Sequence, residues 1–201
     1  MRGFRLPPVY PITDTQISGL SHAEQVAVFA EGGATLVQLR EKRAPALQFY
    51  EEAKAALAVV AERGVHLIIN DRVDIALAIG AAGVHLGQDD LPPEVARRLL
   101  GDEAVIGYST HSAAQALAAS RLPIDYLAIG PIFGTSTKEN PDPVVGLEGL
   151  KAVREAIGSL PLVAIGGITP GNLREVFCAG ADSIAMISAL WAEAPDRSYK
   201  K

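Results

Sequence analysis

Short apolar runs recur along the chain, and amphipathic or alanine-rich segments separate them. The runs cover residues 9–13, 35–39, 66–69, 84–86, 104–108, 126–130, 162–165 and 183–187. Nearly every position in them is apolar, as in strands buried on both faces. Between the first two runs, Ser21-His22-Ala23-Glu24 reads as a capping box opening a helix that stops near Gly32-Gly33. Residues 44–63 read as a long helix stopped by Gly64. Segments 72–79, 92–100, 112–120, 147–157 and 170–179 complete the series, with Pro170 suited to a first helical turn and Gly180 to a helix end. Alternation of strand and helix implies a parallel sheet. Eight strands favour a closed (β/α)8 barrel of the TIM type, an α/β fold, over an open doubly wound sheet. One domain over residues 1–201 is expected, near the lower limit of roughly 200 residues for such barrels. Only residues 189–201 follow the last strand, so the eighth helix is expected to be short or truncated. That would leave an apolar groove between strands 8 and 1, open or covered by a second subunit in a homo-oligomer.

Composition narrows the partners. Hydrophobic residues make up 49% and charged residues 20%, the balance of an ordinary globular protein. The net charge of -5 offers no broad basic field for nucleic acid or an anionic membrane. An anionic small-molecule substrate would therefore need a local cluster of Arg, Lys and backbone N–H groups. The single Cys178 excludes an internal disulfide framework and a multi-cysteine zinc site. It reads as a small buried hydrophobe, and a cytoplasmic location is the simplest expectation. Residues 1–8 carry basic groups without an apolar core behind them, so they are not read as a signal peptide. No apolar run is long enough to span a bilayer.

Polar residues cluster where the strands end, and in such barrels the strand C-termini build the active site. Two runs stop at acids: Leu67-Ile68-Ile69-Asn70-Asp71 and Val84-His85-Leu86-Gly87-Gln88-Asp89-Asp90. On neighbouring parallel strands these acids converge, which suits a hard divalent cation holding a phosphorylated ligand. Strand 2 runs into Gln38-Leu39-Arg40-Glu41-Lys42, with Gln38, Arg40 and Lys42 on one face by two-residue alternation. After strand 1 come Thr13-Asp14, and strand 5 is followed by Ser109-Thr110-His111. Strand 6 leads to a long loop, 134–146, carrying Thr135, Ser136, Thr137 and Lys138; it reads as a lid or as a plain connection. Gly166-Gly167 after strand 7, near Ile187-Ser188 of strand 8, suits a phosphate held on backbone N–H groups. Blander readings stand beside these. Arg40 and Lys42 are also expected of a solvated loop, Asp71 and Asp90 of helix N-caps, and Gly166-Gly167 of a simple turn. His85 reads as a packed or hydrogen-bonded interior histidine rather than a base, His111 as a helix start, and Tyr10 as facing either the interior or the mouth.

Taken in order, these motifs resemble the thiamine-phosphate synthase family over nearly the whole chain. The resemblance rests on Ile12-Thr13-Asp14, Gln38-x-Arg40-x-Lys42, Asn70-Asp71, Gly87-Gln88-x-Asp90, Ser109-Thr110-His111-Ser112, Gly130-Pro131-Ile132-Phe133, Thr135-Ser136-Thr137-Lys138 and Gly166-Gly167-Ile168. It implies a transferase that joins hydroxymethylpyrimidine diphosphate to thiazole phosphate, releasing pyrophosphate by a dissociative route. Asp71 and Asp90 would hold one Mg²⁺, with Asp89 a bystander. Arg40, Lys42, Asn70 and Lys138 would clamp the diphosphate. Gln38 and Ser109 would meet the pyrimidine or its leaving group, with Leu39 and Glu41 in the same substrate segment. Thr135, Ser136, Thr137, Gly167, Ile187 and Ser188 would hold the thiazole phosphate. Arg40, Lys42, Ser109 and Lys138 are the catalytic candidates. Tyr108 departs from the small aliphatic usual in the family, and an inward ring would narrow the pyrimidine site. Two other readings remain: a thiazole tautomerase-like isomerase, which tends to lose both acids, and a non-catalytic phosphate-binding barrel.

Overall fold

The computed structural model describes residues 5–135 and 142–191. Its elements alternate as the apolar pattern requires. They are β1 (Val9–Pro11), α1 (Thr15–Ser18), α2 (His22–Glu31), β2 (Leu36–Leu39), α3 (Ala46–Ala61), β3 (His66–Asn70), α4 (Val73–Ile79) and β4 (Gly83–Leu86). There follow α5 (Pro93–Leu100), β5 (Val105–Thr110), α6 (Ala113–Ala119), β6 (Tyr126–Ile129), α7 (Gly146–Ile157), β7 (Leu162–Ile165), α8 (Leu173–Cys178) and β8 (Ser183–Met186). All strand pairs are parallel, in the order β1-β8-β7-β6-β5-β4-β3-β2. A parallel bridge from Ile12 to Gln38 joins the two ends, with the Thr13 N–H donating to the Gln38 carbonyl at 2.9 Å. The sheet is thus a nearly closed barrel.

Strand alternation sorts the core into an inner and an outer layer. Tyr10, Ile12, Leu36, Ile68, Val105, Tyr126, Ala128, Val163 and Ala185 fill the interior. The intervening strand residues, such as Val37, Leu39, Leu67, Ile69, Leu127 and Ile184, pack outward beneath the helices. Arginines brace the N-terminal end of the barrel. Arg97 binds Asp125 at 2.7 Å and the Ala104 carbonyl; Arg154 binds Asp182 and the Gly180 carbonyl. Asp125 and Asp182 in turn accept the strand N–H groups of Ile106 and Leu162. The opposite end is left free for chemistry.

Several local expectations need correction. Strand β5 continues through Thr110, so Ser109 lies within the strand. The extra helix α1 exists because Asp14 caps it, accepting from the N–H groups of Gln16 and Ile17. Asp71 and Asp90 are not helix caps; Arg72 and Pro92 occupy those positions, without a side-chain capping bond. Pro170 is not in a first helical turn, because Asn172 ties the preceding turn by accepting the Thr169 N–H, and α8 begins only at Leu173. Cys178 is exposed, on the outer side of α8, rather than buried. Tyr108 alternates outward and packs beneath the helices, so its ring does not narrow the mouth. After β8 the chain makes one 3-10 turn, Ser188–Leu190, and Trp191 packs on Phe29 with ring centroids 5.4 Å apart. The rest of the short C-terminal segment lies outside the described residues.

Candidate active site

The C-terminal ends of the strands surround a cavity of about 990 Å³. Its lining includes Gln38, Arg40, Lys42, Asn70, Asp71, Asp90, Ser109, Thr135, Gly167, Ile187 and Ser188, all named from the sequence. Ser136, Thr137 and Lys138 lie outside the described residues. Leu39 and Glu41 do not reach the cavity with their side chains. Alternation turns Leu39 into the outer core, fully buried. It turns Glu41 to the back, where one carboxylate oxygen accepts the N–H groups of Arg43 and Ala44 at 2.6 and 3.0 Å.

The two acids converge as the adjacent strands predict. Asp71 follows β3 and Asp90 lies four residues beyond β4. Burial raises the Asp71 carboxyl above its ordinary value; Lys42 opposes this, and the neighbouring Asp90 carboxyl adds to it. Lys42 Nζ donates to Asp71 Oδ2 at 2.5 Å. Asp90 Oδ2 accepts the Gly87 N–H at 2.6 Å, which folds the Gly87–Asp90 turn back toward the mouth. Asp71 has a φ of 63°, the only left-handed non-glycine among the described residues. That conformation is costly for most L-residues and tolerable for Asp or Asn. Asp89 also borders the cavity, but it is exposed and outside the paired acids.

Donors complete the mouth. Asn70 is 6% exposed, and its Nδ2 has no hydrogen-bond partner, so a buried amide awaits an acceptor. Arg40 faces Asp14 at 3.5 Å, while its backbone N–H donates to Thr13 Oγ1 at 3.1 Å. On the far side, Gly166 and Gly167 have φ of 100° and 65°. A Cβ on Gly167 would sit 2.5 Å from the Gly134 carbonyl oxygen, so only glycine permits this close turn. Among the described residues, no protein group accepts from the backbone N–H of Gly167 or Ser188, which leaves both for an anion.

The barrel interior carries more polar chemistry than its apolar strands suggest. Tyr10 points inward and meets Tyr126, and His85 joins Tyr126 to Ser109. The signal was available: positions 85, 107, 109, 126 and 128 share the inward parity of Gln38 and Asn70 once the strands are in register. His111 also enters the mouth, its Nδ1 at 2.7 Å from the Gly130 carbonyl oxygen. A second acidic group lies behind the mouth. His22, Glu41 and Glu52 bring three potential ligand atoms within 4.8 Å of one another. No helix among the described residues is long and apolar enough to cross a membrane.

Comparison with known proteins converges on one family. The model of the family described as thiamine monophosphate synthase matches residues 9–190. The thiamine-phosphate synthase of Chloroflexus aurantiacus is 48% identical over 92% of this chain and 85% of its own length. That of Albidiferax ferrireducens is 49% identical over 92% of this chain and 84% of its own. The solved thiamine phosphate pyrophosphorylase of Pyrococcus furiosus superposes with a TM-score of 0.80 at 41% identity, covering 90% of this chain and 85% of that one. Fold, ordered motifs and relatives agree, and the chain belongs to the thiamine-phosphate synthase family, transferases of thiamine biosynthesis.

Proposed function

We propose that the mouth binds hydroxymethylpyrimidine diphosphate and thiazole phosphate together and joins them into thiamine phosphate. The observation that carries this reading is the half-buried Asp71–Asp90 pair beside Lys42, with the unpartnered Asn70 amide next to it. Two adjacent carboxylates are a hard oxygen donor set that fits Mg²⁺. A tautomerase or a passive phosphate-binding barrel has no need of such a pair. When bound, Mg²⁺ supplies positive charge where the diphosphate leaves.

The chain's own groups divide the remaining work. Lys42, Arg40 and Asn70 converge on the diphosphate and stabilise the charge that grows on it as the C–O bond breaks. Lys138, carried by the strand-6 loop, adds a further cation. The bonding pair leaves with pyrophosphate, and the pyrimidine methylene becomes cationic. The thiazole ring nitrogen then donates its lone pair to that carbon, forming the C–N bond. No proton need be transferred, so the mouth requires no general base. Gln38 and Ser109 hold the pyrimidine. The Gly167 and Ser188 N–H groups, with Ile187, Thr135, Ser136 and Thr137, hold the thiazole phosphate so that its ring nitrogen faces the methylene. Closure over the mouth keeps water from the cation.

In this reading the chain works as a single-domain barrel in the cytoplasm. It acts on small molecules rather than nucleic acid or membrane, and as a homo-oligomer wherever a second copy covers the β8–β1 groove. The direct test supplies both substrates to the purified protein with Mg²⁺ or with chelator. Thiamine phosphate and pyrophosphate should appear in equal amounts only with the metal. Folded protein that makes neither would remove the proposal.

A further inference from the structure

Five side chains from five strands form one hydrogen-bonded chain through the barrel interior. Gln38 Nε2 donates to the Tyr10 hydroxyl at 3.2 Å, and the Tyr10 and Tyr126 hydroxyls are 3.0 Å apart. Tyr126 Oη lies 2.9 Å from His85 Nδ1, and His85 Nε2 lies 2.8 Å from Ser109 Oγ. All five residues border the ligand cavity, and the three central ones are buried, at 1%, 0% and 7% exposure for Tyr10, Tyr126 and His85. Gly107 makes room for the chain. A Cβ there would sit 2.3 Å from the Tyr126 hydroxyl and 2.5 Å from His85 Nδ1.

Proton counting restricts such a chain. Each hydroxyl has one proton to donate, and a neutral imidazole has one. At pH 8 the His85 imidazole, flanked by a hydroxyl on each ring nitrogen, is neutral and carries one ring proton. Four consecutive bonds then have only two self-consistent directions. The end at Gln38 selects between them. Its Nε2 is on Tyr10, so Tyr10 must donate to Tyr126 and Tyr126 to His85 Nδ1. His85 therefore carries its proton on Nε2 and donates to Ser109 Oγ. The Ser109 proton is left for the cavity. The opposite direction would put the Gln38 oxygen on Tyr10 and its amide N–H groups toward the cavity, where Arg40 and Lys42 continue the same strand face. Cations there favour the oxygen, so electrostatics select the same direction.

We infer that this relay is proton-ordered: Gln38, acting through Tyr10, Tyr126 and His85, fixes His85 in the Nε2–H tautomer and makes Ser109 a hydrogen-bond donor to the ligand. Tyr10, Tyr126 and His85 are positioning residues. Gln38 presents an acceptor and Ser109 a donor, and these two polarities are coupled across the barrel. Only the ligand's position at Ser109 rests on the proposed function; the order of protons does not.

The test uses ligand-free protein labelled with ¹⁵N-histidine, at pH 8, with long-range ¹H–¹⁵N correlation spectra reporting the tautomer of each ring. Loss of one set of signals in His85→Gln assigns His85. The wild type should show Nε2 protonated and Nδ1 bare; the reverse tautomer overturns the inference. Gln38→Glu places an acceptor-only carboxylate against Tyr10 and should reverse every bond, moving the His85 proton to Nδ1. An unchanged tautomer in that variant also overturns it. Should Gln38→Glu fail to fold, Tyr126→Phe serves. It removes the donor to Nδ1 and should give a mixture of tautomers, with KM for the pyrimidine diphosphate raised about tenfold, equivalent to one lost hydrogen bond. A pure Nε2–H tautomer in Tyr126→Phe counts against the relay. An inactive wild type with the expected tautomer would sink the function and leave the relay standing.

Discussion

Two carboxylate clusters flank the segment that follows β2, and their contrast shows how one stretch of chain serves two ends. Gln38, Arg40 and Lys42 point into the mouth, where Lys42 meets Asp71 beside Asp90. Glu41 points to the back, toward His22 at 3.5 Å, and Glu52 reaches the same imidazole at 3.6 Å. Local hydrogen bonds anchor the rear cluster. Thr13 Oγ1 lies 2.7 Å from His22 Nδ1, and Glu41 accepts two backbone N–H groups. Burial pushes the Glu41 carboxyl up, but those N–H groups and His22 outweigh it and hold the carboxyl below its ordinary value. The front pair is the reverse. Burial and Asp90 raise the Asp71 carboxyl against the pull of Lys42. Asp71 is thus held in an environment that disfavours its charge, the condition a bound cation relieves. Yet the rear cluster also has open valence, since His22 Nε2 and Glu52 Oε2 lack hydrogen-bond partners. Its imidazole suits a softer transition metal rather than Mg²⁺, which prefers oxygen alone.

Activity breaks the comparison most sharply. Asp71→Ala and Asp90→Ala should each lower Mg²⁺-dependent turnover at least about 100-fold, since even outer-shell changes at metal sites cost roughly 10–100-fold. Glu52→Gln should stay within about threefold of the wild type, as a surface-linked change away from the mouth would. If Glu52→Gln lost activity while Asp90→Ala kept it, the ion would belong at the back, and the front assignment would fall.

Stability in chelator separates the same pair by a smaller margin. Asp71→Asn removes the disfavoured charge and keeps a side chain that tolerates φ 63°, so its melting temperature should rise. Asp71→Ala removes the charge but leaves a residue that pays about 1–2 kcal/mol for left-handed backbone. It should melt lower than Asp71→Asn by about 2–8 °C. Equal melting of the two would mean that the left-handed backbone imposes no constraint at Asp71.

The sequence made the barrel and the mouth visible for one physical reason. Buried parallel strands are nearly all apolar, so a run that stops at Asn70-Asp71 or Gly87-Gln88 shows where the strand end meets solvent and ligand. Register then brings the ends together without further information. What it hid depends on direction rather than composition. Leu39 and Glu41 sit inside a motif whose neighbours line the mouth, and the alternation that sets Gln38, Arg40 and Lys42 on one face sends these two to the other. Tyr10, His85 and Tyr126 look like ordinary core residues one at a time. They become a relay only when Gly107 opens the space between strands β4, β5 and β6. The capping reading of Asp71 failed because its left-handed backbone is incompatible with the extended conformation an N-cap adopts.

Acid titration gives the smallest effect and sharpens the contrast by its sign. The Glu41 carboxyl lies below its ordinary value in the folded chain. Its stabilising contribution is therefore complete above the unfolded-state pKa and is lost as pH falls through the folded one. Glu41→Gln should melt roughly 2 °C below the wild type near neutral pH, and the gap should close on acidification. The Asp71 carboxyl lies above its ordinary value, so its penalty is absent below the unfolded pKa and grows as pH rises through the folded one. Asp71→Asn should therefore melt above the wild type near neutral pH in chelator, and that gap should also close toward acid. Melting temperatures of the three proteins across the acid range thus converge from opposite sides. Two variants displaced in the same direction at neutral pH would mean that the front and rear carboxylates sit in electrostatically equivalent environments, and the distinction between a ligand-seeking pair and a structural one would be lost.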